Sequence, residues 1–219
     1  MHCKTVLVYS MEYFNQLRKS WEKTYTEHGS SVPWAKQEYL DVFVPTISGL
    51  IKKYHPKANS ALDYGTGTGQ YAVLLKRELG IYTVVAADLT DKGIDKTLFE
   101  KHKIKFVCSD TPNDVSGTYD VILCWGVFHC IEPKYHEQFL SQFAGMLNAG
   151  GVIILGSFAP DDSHLAGQKV KKSTFSNRDI FHVKIIDDNN ALAALGMKAI
   201  TRDNIGLKRT FRYAVIKAK

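Results

Sequence analysis

The chain has 219 residues, of which 45% are hydrophobic and 23% charged, with a formal net charge of +6. That length suits one well-filled α/β domain and is short for two, and the ordinary mix of charge and aromatics argues against disorder, a fibre or a low-complexity scaffold. No apolar run approaches the roughly 20 residues that a membrane helix needs.

The N-terminus carries Lys4 and a few apolar residues, but the polar segment from Ser10 leaves no signal-peptide core or cleavage site, so a cytoplasmic address is expected. Cys3, Cys108, Cys124 and Cys130 lack C-x-x-C spacing and three of them sit in apolar segments, the pattern of buried free thiols. No metal site is expected. The densest lysine cluster, Lys169, Lys171 and Lys172, reads as a solvated loop more readily than as a nucleic-acid face.

In chain order, the first elements are helical. Phe14, Leu17 and Trp21 recur at helical spacing, a break runs from His28 to Pro33, and Tyr39 to Ile51 resumes the period, so residues 1–57 are expected to form a helical cap or lid. The period then changes. Ala61 and Leu62 end a strand, a glycine loop follows, and Tyr71 to Leu79 reads as a helix closed by Gly80. Further strands are expected at Tyr82 to Ala87, Ile104 to Cys108, Tyr119 to Trp125 and Val152 to Leu155, with helices at Asp95 to Lys101 and Tyr135 to Leu147 between them. Alternating strands and helices imply a doubly wound, mostly parallel sheet covered on both faces. After a polar stretch from Ala159 to Asp179 and a helix around Asn189 to Leu195, the runs Met197 to Asp203 and Thr210 to Ala218 are placed to pair as an antiparallel hairpin at a sheet edge, for seven strands in all. Residues 58–157 would be the binding core, and 158–219 a substrate-side insertion and terminal hairpin, within one domain.

The segment Asp63-Tyr64-Gly65-Thr66-Gly67-Thr68-Gly69-Gln70 lies where a strand becomes a helix, the place where a parallel sheet opens a crevice for ligand. Glycines there let the backbone turn sharply and approach a bound molecule, while the following helix offers unpaired N–H groups. A tight turn with no ligand would explain one glycine, but not three at alternate positions behind an acid. The dinucleotide pattern G-x-G-x-x-G would place its third glycine at Gln70, and a P-loop would need G-K-[S/T]; neither is present.

The sequence Asp63 to Gly69 resembles the first motif of the class I, Rossmann-like S-adenosylmethionine-dependent methyltransferases, and later residues extend the likeness. Asp88 ends the second strand 19 residues beyond Gly69. In that class an acid there accepts hydrogen bonds from both ribose hydroxyls, with Leu89 beside the adenosine; the alternative is an acidic turn. Asp110, followed by Thr111, resembles the residue that accepts the adenine amino hydrogen, against a capping role. Tyr119-Asp120 begins a strand like the class's fourth, and Gly150-Gly151 precedes the fifth. These matches span about Asn59 to Ser157. The resemblance implies S-adenosylmethionine as cofactor, held by Asp63, Gly65, Thr66, Gly67, Gly69, Asp88, Leu89, Asp110, Thr111 and Trp125.

The resemblance further implies methyl transfer by direct displacement, which needs an aligned nucleophile and a dry pocket rather than an obligatory base. Trp125 and Phe128 are candidate aromatic walls, with core packing as their alternative. His129 is the candidate catalytic residue, because a neutral imidazole can accept the acceptor's proton; a helix cap is the alternative. Trp21, Tyr25 and Trp34 lie in the segment that folds over the cofactor in related enzymes, and His164, Lys169 and Lys172 in the other variable region. Trp21-x-x-x-Tyr25 with Val32-Pro33-Trp34 weakly resembles thiol and metalloid methyltransferases. No N-P-P-[F/Y] motif or paired cysteines suggest a nucleobase substrate. A small-molecule acceptor is therefore the first expectation, an RNA or protein acceptor the second, and a non-catalytic cofactor-binding subunit the third.

Overall fold

The structure is a computed structural model that describes residues 10–29, 31–162, 165, 168–173, 175–176, 178–206 and 209–219; Cys3, Lys4 and His164 lie outside the described residues. Helix α1 (Met11–His28) begins at Ser10, whose hydroxyl accepts from the Tyr13 N–H, and α2 (Gln37–Tyr54) follows a short helical turn at Pro33–Ala35. Five strands then alternate with helices: β1 (Ser60–Tyr64), α3 (Gln70–Arg77), β2 (Thr83–Asp88), α4 (Lys96–His102), β3 (Lys105–Cys108), β4 (Tyr119–Trp125), α5 (His136–Gly145) and β5 (Leu147–Phe158). The segment expected to be a polar loop forms a small antiparallel ribbon, β6 (Val170–Lys172) with β7 (Asp179–Phe181). Helix α6 (Asn189–Ala194) leads into β8 (Met197–Gly206) and β9 (Thr210–Ala218).

The main sheet has seven strands in the order β3-β2-β1-β4-β5-β9-β8. Strands β1 to β5 pair in parallel, and β9 runs antiparallel between β5 and β8. The terminal hairpin is thus present, with its last strand inside the sheet and β8 at the edge. Alternate side chains feed two cores, as period-two strands require. Leu62, Ile122, Ile153 and Ile216 face Phe139 and Phe143 of α5 and Leu192 of α6. Ala61, Val121, Ile154 and Val215 face Phe43 and Ile47 of α2, Leu75 of α3 and Phe99 of α4.

Close packing sets one glycine that the sequence left unremarked. The Trp125 indole lies flat against Phe211, with ring centres 6.1 Å apart, and a Cβ at Gly156 on the neighbouring strand would meet that indole at 2.5 Å. The backbone there is ordinary, so the conflict is purely one of volume. Gly156→Ala is expected to destabilise the fold by about 1–3 kcal/mol through overpacking. Equilibrium urea unfolding checks this, and an unchanged midpoint would mean that Trp125 is free to move away.

Candidate active site

The order of the main sheet reverses at β1 and β4: from β1 the chain builds outward to β2 and β3, and from β4 outward to β5. The loops leaving the carboxyl ends of these neighbours diverge and leave a crevice. The loop after β1 has positive φ at Gly65, Gly67 and Gly69 (76°, 60° and 85°). These glycines do different jobs. A Cβ on Gly65 would strike Val127 Cγ2 at 2.1 Å, and one on Gly69 would strike Phe99 at 2.4 Å, so both let the loop nest between neighbours. Gly67 faces the cavity beneath Tyr25 Oη and Trp34 Nε1.

The cavity holds about 260 Å³ of free space and runs from Asp88 and Asp110 at one end to His129 and Phe158 at the other. Asp88 accepts a hydrogen bond from the Gly67 N–H at 2.8 Å, which ties the glycine loop to the tip of β2. Burial pushes its carboxyl up to about 6. Leu89 lines the wall beside it. Asp63, by contrast, is buried beneath the loop, where it accepts from Thr66 Oγ1 at 2.6 Å. Its carboxyl is pushed up to about 7, chiefly by burial and secondarily by the nearby Asp88. Asp63 therefore shapes the loop from below, while Thr66 reaches the cavity.

Asp110 lines the cavity but is paired with Arg18 of α1 at 2.5 Å. Thr111 turns away: its side chain meets Asp114 at the start of a short helical turn, and Ser109 faces the cavity in its place. Asp120 serves the frame, accepting from the Asn59 and Ser60 N–H groups and from Asn148 Nδ2.

At the other end, the structure separates Phe128 from His129. Phe128 is fully buried against Phe139 and Phe143 in the α5-side core and is not part of the cavity wall, which corrects its expected role at the substrate. The two belong to a tight helical turn (Phe128–Cys130), so consecutive side chains diverge. His129 lines the cavity, with Nδ1 3.2 Å from Ser157 Oγ and its ring packed on Phe158. Trp125 lines it as well.

Helix α1 forms the roof. Phe14 packs on Tyr135 and Phe139, Tyr13 Oη accepts from the Glu132 N–H, and Arg18, Trp21 and Tyr25 extend over the crevice. Tyr25 is held between Gly67 and Gly93, which places it with Trp34 above the glycine loop and nearer Asp88 than their expected substrate role implied. The remaining side is closed by Ser173, Phe175, Ser176 and Arg178, between β6 and β7, and by Asp179 and Ile180 of β7. Lys169 and Lys172 are not part of the cavity wall; Lys172 pairs with Asp179 on the exposed side of the ribbon. Sequence reasoning missed Arg18, Arg178, Phe175, Phe158 and Phe211, none of which belongs to a local motif.

The roof depends in part on the Arg18–Asp110 pair, whose side chains are 33% and 16% exposed. A pair so placed is worth about 1 kcal/mol after screening. Arg18→Ala is expected to speed amide exchange roughly fivefold in the middle of α1, with little change in sheet exchange. Unaltered exchange in α1 would show that the Phe14 and Tyr13 contacts hold the roof by themselves.

Comparison with known proteins places this geometry. Residues 36–192 match the family described as "Methyltransferase domain". The ribosomal protein L11 methyltransferase of Thermotoga neapolitana is 24% identical over 126 residues, 56% of this chain and 46% of that protein, so the chain spans about half the length of the curated relatives it matches. The crystal structure of Burkholderia thailandensis 1,6-didemethyltoxoflavin-N1-methyltransferase, with 1,6-didemethyltoxoflavin and S-adenosylhomocysteine bound, superposes with a TM-score of 0.74 at 18% identity over 97% of this chain and 92% of that one. The DhpI–SAH complex gives 0.66 at 15% identity, over 96% and 98%. At such identities the structural likeness is one of fold. The family match covers most of the chain, and the protein belongs to the methyltransferase-domain family.

Proposed function

We propose that this protein binds S-adenosylmethionine at the Gly67–Asp88 end of the cavity and transfers its methyl group to a small-molecule acceptor at the His129–Arg178 end. The observation that carries the reading is that one roofed cavity contains both ends. The residues present fit the cofactor. Gly67 has no Cβ to block close approach, Asp88 offers a carboxylate where a ribose diol would lie, and Leu89 supplies an apolar wall beside it. Asp110 is the expected adenine-end carboxylate, with Arg18 as its present partner.

When bound, the cofactor supplies a methyl group already activated on a sulfonium. The chain's own task is to hold an incoming nucleophile in line with that carbon and to exclude water. Trp21 and Trp34 in the roof, with Phe158 and Phe211 at the far wall, provide an apolar enclosure that favours loss of the sulfonium charge. His129 would take the acceptor's proton, or pass it on to solvent, while the bound cofactor would supply the electrophilic methyl group. Ser157 holds the His129 imidazole in the orientation this needs. We place this chemistry in the cytoplasm, in keeping with cysteine usage; among the described residues no helix is long and apolar enough to cross a membrane.

The match to a ribosomal protein L11 methyltransferase favours a protein acceptor as the second reading. Under that reading a single side chain of the acceptor would enter the cavity beneath the roof. The fold-level likeness to an enzyme that holds 1,6-didemethyltoxoflavin supports the first reading.

S-Adenosylhomocysteine is expected to raise the melting temperature at submillimolar concentration; no shift at millimolar ligand would count against the assignment. Asp88→Ala is expected to weaken binding by about 1.5–3 kcal/mol through loss of charged-acceptor hydrogen bonds. The ionised carboxylate is the form that accepts from a diol. Wild-type affinity is therefore expected to hold above about pH 6 and to fall as pH drops through the Asp88 titration. Calorimetry at several pH values tests this, and a flat profile would remove Asp88 from the site.

A further inference from the structure

Two residues of the cavity wall have a water-inaccessible nitrogen without a hydrogen-bond partner: Arg178 Nη2 and Trp125 Nε1. Both are donors. Among the described residues, no acceptor on that wall is in the same condition. Both nitrogens are shut off as the side chains stand, and a ligand with oxygen acceptors would satisfy them once a small side-chain shift turned them toward the cavity, because a buried donor left unmade is costly.

Arg178 has further peculiarities. Its guanidinium lies 3.5 Å from the centre of the Trp21 ring. Its Nη1 donates to Ser20 O, Ser20 Oγ and Thr24 Oγ1, all neutral groups of α1. The carboxylates around the cavity are engaged elsewhere: Asp110 with Arg18, Asp179 with Lys172, and Asp88 with the Gly67 N–H. A half-buried cation with no carboxylate opposite it is unfavourable unless a ligand brings the negative charge. A purely structural tie from ribbon to roof would need only the Nη1 contacts, and a neutral donor would serve.

The walls beside Arg178 are aromatic. Trp34 meets Trp21 edge to face at 5.3 Å and Phe175 at 5.9 Å, while Phe158 packs on His129 further in and carries Arg209 over its face. Such surfaces favour a ring stacked or wedged between them, and a guanidinium plane adds a further stacking face.

We propose that the methyl acceptor is a planar aromatic or heteroaromatic molecule bearing an anionic oxygen, and that Arg178 binds this oxygen while the ring lies against Trp21, Trp34 and Phe175. This rests on the reading of the cavity as a methyltransferase site. Trp125 Nε1 is left for a second oxygen, of the cofactor or of the acceptor.

The test uses the full chain saturated with S-adenosylhomocysteine and matched pairs of probes, benzoate with benzamide, 2-hydroxybenzoate with 2-hydroxybenzamide, and 2-naphthoate with 2-naphthamide, titrated by calorimetry. At least one anion is expected to bind about tenfold more tightly than its neutral partner, the scale of a charge-assisted contact. In Arg178→Gln, which keeps a donor for Ser20 and Thr24, that preference is expected to vanish. In Arg178→Lys it is expected to persist in reduced form. S-Adenosylhomocysteine affinity is expected to change by less than about threefold in both variants, a margin well inside the loss of one charged contact. No anion preference in any pair, or a preference unchanged in Arg178→Gln, overturns the assignment of Arg178. Failure of wild-type protein to bind S-adenosylhomocysteine overturns the underlying reading instead.

Discussion

Strand β1 is five residues long, buried along most of its length, and hydrogen-bonded in parallel to β2 on one side and β4 on the other. The rest of the site depends on that double pairing. Because both neighbours run the same way, the loops that leave β1, β2 and β4 all emerge at one edge of the sheet. Because the chain proceeds outward in opposite directions from β1 and β4, those loops part instead of covering one another. The frame is fixed from below by Asp120 and Asn148, which join the starts of β1 and β4 to the start of β5. It is fixed from above by the Gly67 N–H on Asp88, which joins the loop after β1 to the end of β2.

Features legible in the sequence are those whose cause is local. The Asp63 to Gly69 loop needs glycines because its backbone turns through positive φ, and that demand appears in seven consecutive letters. Strand β4 was visible with its exact bounds because, Asp120 apart, apolar and β-branched residues run from a turn to a glycine. Asp88 could be placed by its distance from the loop. The roles within the loop were less accessible. Asp63 and Thr66 read alike as cofactor contacts, but the short bond between them puts the acid beneath the loop and leaves the hydroxyl residue at the cavity.

The misassigned or unseen residues are those whose position depends on packing between distant segments. Phe128 and His129 are adjacent in sequence, and only the tight turn after β4 decides which enters the core. Arg178 lies 157 residues beyond Trp21, as their numbering shows, yet stacks on it at 3.5 Å. The polar composition between Ala159 and Asp179 gave no strand period long enough to reveal a ribbon of three-residue strands, so the wall it builds was read as loop. Arg18 belongs to no local motif, and its place at the site depends on Asp110 being brought beneath it.

Charge placement connects the two ends of the cavity. Asp88 and Asp110 line the cavity where β2 and β3 end, and Arg178 and Arg209 line it just before β7 and β9, with Tyr25, Trp21 and Trp34 packed together beside them. If the cavity takes the cofactor and acceptor proposed above, its acidic station favours the cationic sulfonium and its basic station an anionic acceptor. The same helix carries Arg18 toward Asp110 and Trp21 toward Arg178, so opening α1 would loosen both stations together.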